Sequence, residues 1–282
     1  MIKLDGKALA AKMKDGFAAE IKEYTKNGGR CPCLAVVLVG EDPASQIYVR
    51  NKHNDCVSVG IKSLMYTLAA DITQEELLGL IDSLNANDDV DGILVQLPLP
   101  KHLDEKAVTE HIRHDKDVDA FSAVNVGCIT LGREGFKPCT PAGVMRLLEE
   151  YNIDITGKEC VVVGRSNIVG KPMGLLLLSK GGTVTICHSR TEDLAFHTRR
   201  ADILVVAVGK AGLVNGDMVK EGAVIVDVGM NRGENGLCGD VDYSSCAEKA
   251  LYITPVPGGV GPMTRAMLLE NTLTAYKNHL GI

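Results

Sequence analysis

Residues 160–174 read Cys-Val-Val-Val-Gly-Arg-Ser-Asn-Ile-Val-Gly-Lys-Pro-Met-Gly, and no other stretch constrains the fold as much. The β-branched run at 161–163 suits a strand buried on both faces of a parallel sheet. Gly164 ends that run. Pro172 cannot lie deep in a helix but fits its first turn, so a helix should run through 173–178 and stop at Gly181 and Gly182. Strand, glycine turn and helix together hold the pyrophosphate of a dinucleotide, because backbone N–H groups and the positive helix end face the phosphates. The spacing differs from G-x-G-x-x-G: Gly164 and Gly170 are six apart, with Ser166 between them. An ordinary strand–turn–helix of an α/β core is the alternative reading.

Residues 183–187 read as the next strand. NAD sites carry an acid about 20 residues past the glycines, on the ribose hydroxyls. Here the chain reads His188, Ser189, Arg190. With Arg165 at the strand end, a cationic, hydroxyl-bearing pocket favours NADP over NAD. A plain surface charge is the alternative for Arg190.

The 282 residues suit two domains. A net charge of −6 and the lack of a long basic run argue against nucleic acid as a partner. No apolar run approaches a membrane span, and the amphipathic, charged residues 1–14 do not read as a signal peptide. The nine cysteines scatter through apolar runs, and only Cys31 and Cys33 are close. They read as reduced cytosolic thiols, with no metal expected. His111 and His114 read as a solvated helix face.

Before the glycine turn, helical periodicity covers residues 5–26, stopped by Asn27, Gly28 and Gly29. Strands follow at 34–39, 61–68 and 92–97. Helices follow at 44–59, after Thr73, and at 102–113; Thr73 with Glu76 forms a capping box. This βαβαβ alternation implies a parallel sheet covered by helices. Residues 115–140 read as irregular and as marking an inter-domain cleft. A helix at 141–151 leads to strands near 160–163, 183–187, 203–208, 223–228 and 251–253. The loop 256–262 precedes a last helix at 263–278.

Five side chains stand out for chemistry. Tyr48 and Lys52, four apart on a helix, share a face; a lysine near a phenol can move protons, or the pair is an ordinary amphipathic face. Gln96 closes an apolar strand at the end where parallel sheets bind ligands, or it bonds loop backbone. Asp117 and Asp119 could accept paired hydrogen bonds from a planar heterocycle, or make turns. The loop through Pro255, Pro257, Gly258, Gly259 and Pro262 permits close backbone approach to a ligand; a structural crossover is the other reading.

Seven segments in order resemble the bifunctional methylenetetrahydrofolate dehydrogenase/cyclohydrolase family: Val39-Gly-Glu-Asp-Pro-Ala-Ser-Gln-Ile-Tyr-Val-Arg-Asn-Lys52, Gly92-Ile-Leu-Val-Gln-Leu-Pro-Leu-Pro100, Lys116-Asp-Val-Asp119, Pro138-Cys-Thr-Pro141, Gly164-Arg-Ser-Asn-Ile-Val-Gly-Lys-Pro172, Asp227-Val-Gly229 and Pro257-Gly-Gly-Val-Gly-Pro-Met-Thr264. The resemblance implies two α/β domains flanking a cleft, the second a Rossmann-like NADP-binding domain. Residues 1–140, joined by the last helix at 263–282, would be the folate-binding, catalytic domain and 141–262 the NADP-binding domain. It implies NADP-dependent oxidation of 5,10-methylenetetrahydrofolate and hydrolysis of the methenyl product to 10-formyltetrahydrofolate, in the cytoplasm, by a homodimer formed through the Rossmann-like domains. Lys52 would be the general acid/base, supported by Tyr48 and Gln96, with Asp119 on the pterin. Pro257, Gly258 and Gly259 would also meet the folate. The cofactor-facing set would be Gly164, Arg165, Ser166, Ile168, Gly170, Ser189 and Gly209. One departure stands out: the family commonly reads Asp-Gly-Phe-His where this chain has Asp119, Ala120, Phe121 and Ser122. Two rivals remain: a dehydrogenase of hydroxy or keto acids with the same architecture, and a nucleotide sensor without catalysis.

Overall fold

A computed structural model describes residues 1–26, 28–233 and 236–282. Asn27 of the expected helix stop lies outside them. In chain order the elements are β1 (Ile2–Lys3), α1 (Gly6–Lys26), β2 (Cys33–Val39), α2 (Pro43–Val59), β3 (Lys62–Leu68), α3 (Gln74–Ala86), β4 (Gly92–Val95), α4 (Glu105–His111) and α5 (Ala123–Leu131). They continue with α6 (Cys139–Glu150), β5 (Glu159–Val163), α7 (Gly170–Ser179), β6 (Thr183–Cys187), α8 (Leu194–Thr198), β7 (Ile203–Val206), a 3-10 turn (Gly216–Met218) and β8 (Val224–Asp227). The rest are β9 (Asn231–Gly233), β10 (Gly236–Cys238), α9 (Tyr243–Ala247), β11 (Tyr252–Ile253) and α10 (Val260–Leu280).

The chain divides into two units. One holds Lys12–Cys128, Glu134–Cys139 and Arg265–Ile282; the other holds Met1–Ala11, Ile129–Arg133 and Thr140–Thr264. The first eleven residues, read from the sequence with the N-terminal block, thus sit in the second unit. The reason is β1, which pairs with β11.

In the first unit a three-stranded parallel sheet runs β3-β2-β4. Every residue of β2 is buried, as the unbroken apolar run requires when both faces are covered. One face packs Ala35, Val37, Ile93 and Val95 against Leu77, Ile81 and Leu84 of α3 and Val108 of α4. The capping box of Thr73 and Glu76 is present. At the other end of α3, Lys116 is buried and its Nζ donates to the carbonyls of Leu84 (3.1 Å) and Asn87 (2.7 Å). A lysine there both satisfies terminal carbonyls and suits the negative helix end.

The second unit carries a six-stranded sheet, β1-β11-β8-β7-β5-β6, whose paired strands are all parallel. The order reverses at β5: the chain moves outward to β6, then returns to β7 on the other side. That reversal opens a crevice at the strands' carboxyl ends, where α/β sheets bind ligands.

Two stretches differ from the sequence reading. Residues 115–140 contain the helix α5, whose β-branched residues and Gly127 hid its periodicity. It starts on Ser122, whose Oγ accepts from the Asn125 N–H at 3.3 Å and whose carbonyl accepts from Val126. The last helix begins at Val260, so Gly261 and Pro262 lie in its first turn. Proline is tolerated there because that N–H has no helical partner. Among the described residues, no helix is long and apolar enough to cross a membrane.

Candidate active site and dinucleotide site

Asp42 caps α2 by accepting from the Ser45 N–H at 2.7 Å, and Pro43 fixes the first turn. One turn apart on that helix follow Tyr48 and Lys52. Lys52 Nζ donates to Gln96 Oε1 at 3.0 Å. Gln96 stands one residue past β4, where its backbone N–H bonds Val37 O and its Nε2 donates to Leu97 O at 2.7 Å. With the amide nitrogen held by backbone, the oxygen is fixed toward the lysine. Both expected partners are therefore joined across 44 residues of sequence by one bond, and Gln96 bonds loop backbone as well.

Asp119 completes the group. Burial pushes its carboxyl above the ordinary aspartate range; Lys52 opposes that shift and Asp117 adds to it. The Cys139 thiol lies beside this carboxylate. Burial, reinforced by Asp119, holds the thiol well above an ordinary cysteine, so Cys139 is a neutral donor rather than a nucleophile. Cys139 Sγ donates to Val118 O at 3.3 Å, and Asn271 Nδ2 donates to that carbonyl at 2.8 Å. Sequence reasoning quoted Cys139 within a motif but gave it no role; its place after Pro138 and at the start of α6 was the available signal. Tyr48 is 37% exposed, and its partial burial raises the phenol above the ordinary value, leaving it a neutral donor at pH 7.

The other aspartate is structural. Asp117 Oδ2 accepts from Ser122 N (2.8 Å) and Asn125 Nδ2 (3.0 Å), and Oδ1 from Phe121 N (3.3 Å). Its turn presents Asp119. Ala120, where the family's glycine stands, has φ +60°, a left-handed conformation that costs a side-chain-bearing residue roughly 1–2 kcal/mol. Ser122, in place of the family's histidine, serves as the helix cap.

In the second unit the glycine turn has the features of an anion cradle. Gly164 has φ +132°, and a Cβ on it would lie 2.3 Å from Ala207 O; one on Gly170 would lie 2.2 Å from Gly164 O. Only glycine permits this approach. Ser166 Oγ accepts from the amides of Val169 (3.1 Å) and Gly170 (3.3 Å), and it keeps its own O–H for a further partner. Arg165, Ser166 and Ile168 are exposed beside α7's first turn, and Ser189 and Arg190 are exposed past β6. The first aspartate after β6, Asp193, is committed to capping α8. Gly209 follows β7 at φ +67°. These residues fit a dinucleotide phosphate with added charge on the ribose.

The loop before α10 packs on the start of α1. Lys7 N–H donates to Gly258 O at 2.9 Å, Gly258 has φ +110°, and a Cβ on Gly6 would lie 1.9 Å from Gly259 O. Part of this loop's glycine requirement is thus packing within its own unit.

Comparison with known proteins decides between the readings. The tetrahydrofolate dehydrogenase/cyclohydrolase catalytic domain matches residues 4–119, and the NAD(P)-binding domain of the same family matches 138–280. The chain belongs to this family. It is similar to the bifunctional protein FolD of Dechloromonas aromatica, with 58% identity over 99% of this chain and 98% of the relative. Its structure is similar to the bifunctional FolD of Campylobacter jejuni, with TM-score 0.97, 54% identity and 99% of each chain covered. It is also similar to the Trypanosoma brucei FolD solved with NADP cofactor and inhibitor, with TM-score 0.95, 38% identity and 100% and 99% coverage. The chain is accordingly a bifunctional tetrahydrofolate dehydrogenase/cyclohydrolase, an oxidoreductase and hydrolase of one-carbon metabolism.

Proposed function

We propose that the protein oxidises 5,10-methylenetetrahydrofolate with NADP and hydrolyses the 5,10-methenyl product to 10-formyltetrahydrofolate, with Lys52 as general acid/base. The observation that carries this reading is the Lys52–Gln96 bond of 3.0 Å with Asp119 and Cys139 beside it. NADP, when bound, supplies the hydride acceptor for the one-carbon bridge. Gly164, Arg165, Ser166, Ile168, Gly170, Ser189 and Gly209 would hold it, with the arginine on the 2′-phosphate.

Loss of hydride leaves a cation shared by N5 and N10 of the folate, so that step asks for no protein base. The residues' part is to orient the folate. Hydrolysis does ask for proton transfer. Water adds to the bridging carbon, and the Lys52 amine takes its proton. The resulting ammonium returns a proton to N5 as the carbon–N5 bond breaks, and the added hydroxyl loses its remaining proton to solvent to leave the formyl C=O. Gln96 Oε1 fixes the amine by accepting a hydrogen bond from it, and Tyr48 donates from the same helix face. Asp119 accepts from the pterin N–H groups. Pro257, Gly258 and Gly259 also contact the folate. We assign the unit of Lys12–Cys128, Glu134–Cys139 and Arg265–Ile282 to folate and the unit that holds Met1–Ala11 and Thr140–Thr264 to NADP. The protein acts in the cytoplasm as a homodimer formed through its Rossmann-like domains, which sedimentation tests.

The testing experiment incubates purified protein with 5,10-methylenetetrahydrofolate and NADP and follows NADPH, methenyl and formyl products. Stoichiometric appearance of NADPH and 10-formyltetrahydrofolate supports the reading. Turnover of 2-hydroxy acids in its place would overturn it.

A further inference from the structure

Two carboxylates in the second unit are buried and take no part in the chemistry above: Asp240 is fully buried and Asp227 is 4% exposed. Both are spent on backbone. Asp240 Oδ2 accepts from the amides of Val208 (2.7 Å) and Gly209 (2.9 Å), and Oδ1 from the Lys210 amide (2.8 Å) and Asn231 Nδ2 (2.9 Å). Asp227 Oδ1 accepts from the amides of Gly229 and Asp240, and Oδ2 from that of Val241, each at 2.9 Å. The two form a relay: Asp227, at the end of β8, fixes the backbone of Asp240, and Asp240 gathers the segment after β7 together with Asn231. Glycines make room for it. A Cβ on Gly229 would fall 2.2 Å from Asp240 Cγ, and one on Gly239 would fall 1.8 Å from Asp227 Oδ2.

The gathered segment borders the cofactor crevice. β7 lies beside β5, and Ala207 O is the atom a Cβ on Gly164 would strike. The crevice at the order reversal is thus walled by the glycine turn on one side and by residues 207–210 on the other. In a doubly wound sheet the half beyond the reversal meets the second mononucleotide. Three consecutive amides turned onto one carboxylate cannot serve the ligand as donors. The segment's other edge, its carbonyls and the open Cα of Gly209, is what a ligand meets.

We propose that Asp240 is a positioning residue for the dehydrogenase: it sets the path of residues 208–210 so that this wall accepts the nicotinamide half of the dinucleotide. This rests on the second unit being the NADP site. An aspartate is required because all four partners are N–H donors. An asparagine would offer one oxygen and turn two donors of its own against the rest, and a buried donor facing another donor must move away.

The test uses Asp240→Asn in the full-length protein. NADPH binding is read by its fluorescence, NADP Michaelis constants by dehydrogenase assay, and hydrolysis of methenyltetrahydrofolate is measured without dinucleotide. The expected result is NADPH binding weakened about tenfold or more, the NADP constant raised to match, and hydrolysis within about twofold of wild type. Hydrolysis here reports the folded fraction, because it asks nothing of the cofactor wall. A merely structural Asp240 would lower both activities in step and leave the NADP constant unchanged, and that overturns the proposal. If Asp240→Asn fails to accumulate, Asn231→Ala removes one of the four bonds and should weaken NADPH binding about threefold with hydrolysis intact; no change overturns the proposal equally. Wild type failing to bind NADPH would instead overturn the NADP assignment itself.

Discussion

Replacing Gln96 isolates what holds Lys52 in place. Gln96→Leu keeps the side chain's bulk but removes the oxygen that receives Lys52 Nζ at 3.0 Å and the nitrogen that bonds Leu97 O at 2.7 Å. The first bond has a charged or readily charged donor, and such bonds are worth roughly 1.5–3 kcal/mol. If that energy is used to orient the amine in the hydrolytic transition state, kcat for methenyltetrahydrofolate should fall about ten- to a hundredfold. Gln96→Glu tests the electrostatic side. A carboxylate at the same distance favours the ammonium, so Gln96→Glu should slow hydrolysis more at the acid end of the range than at the alkaline end. The assay is loss of methenyl absorbance across pH 6–9 for wild type and both variants. An unchanged kcat in Gln96→Leu, or an unmoved pH profile in Gln96→Glu, would refute the reasoning and leave Gln96 as a strand-end residue bonding its loop.

Three further outcomes follow from the geometry. Arg165→Ala should raise the NADP Michaelis constant about tenfold or more and barely change that for NAD, since only NADP carries the phosphate it pairs; equal losses would contradict this. Asp119→Ala should weaken folate-analogue binding by calorimetry and depress both activities, whereas unchanged affinity would make Asp119 a structural residue. Asp227 provides a pH signature: burial lifts its carboxyl from 3.8 to about 6 against the pull of its three backbone donors. The folded state then favours the neutral acid. Below about pH 4 the group costs nothing, and above pH 6 its ionisation costs the fold about 3 kcal/mol, two units at 1.36 each. Urea unfolding of wild type and Asp227→Asn should show the difference moving in the variant's favour by up to that amount between pH 4.5 and 7.5; a flat difference would contradict the burial argument.

The parts of this molecule legible in its sequence were those set by local pattern. The β-branched run before Gly164 gave β5, the proline at 172 gave the first turn of α7, and Thr73 with Glu76 gave α3. Gln96 stood out because an amide ending an apolar strand needs partners. The parts that were not legible depend on distant pairing. Two residues, Ile2 and Lys3, show no strand periodicity, yet pairing with β11 places the N-terminus in the second unit. Residues 123–131 read as loop because valine, isoleucine and threonine weaken the helical signal; Ser122 and the fold around Asp117 supply the start. Cys139 gained its role only when the fold brought it against Asp119, and nothing in the local sequence marks Asp240, on which the fold converges four donors.

The central claim is that Lys52 moves protons in hydrolysis but not in hydride removal. Lys52→Met keeps the apolar stem and removes the amine, so one progress curve measures it directly: methenyltetrahydrofolate absorbance after mixing the variant with 5,10-methylenetetrahydrofolate and NADP. A general acid/base contributes roughly 10²- to 10⁴-fold, so hydrolysis should slow at least a hundredfold while NADPH still forms, and the methenyl compound should accumulate where wild type passes it on to the formyl product. Equal loss of both activities in a folded variant would make Lys52 a substrate-positioning residue. Hydrolysis at the wild-type rate would contradict the account outright.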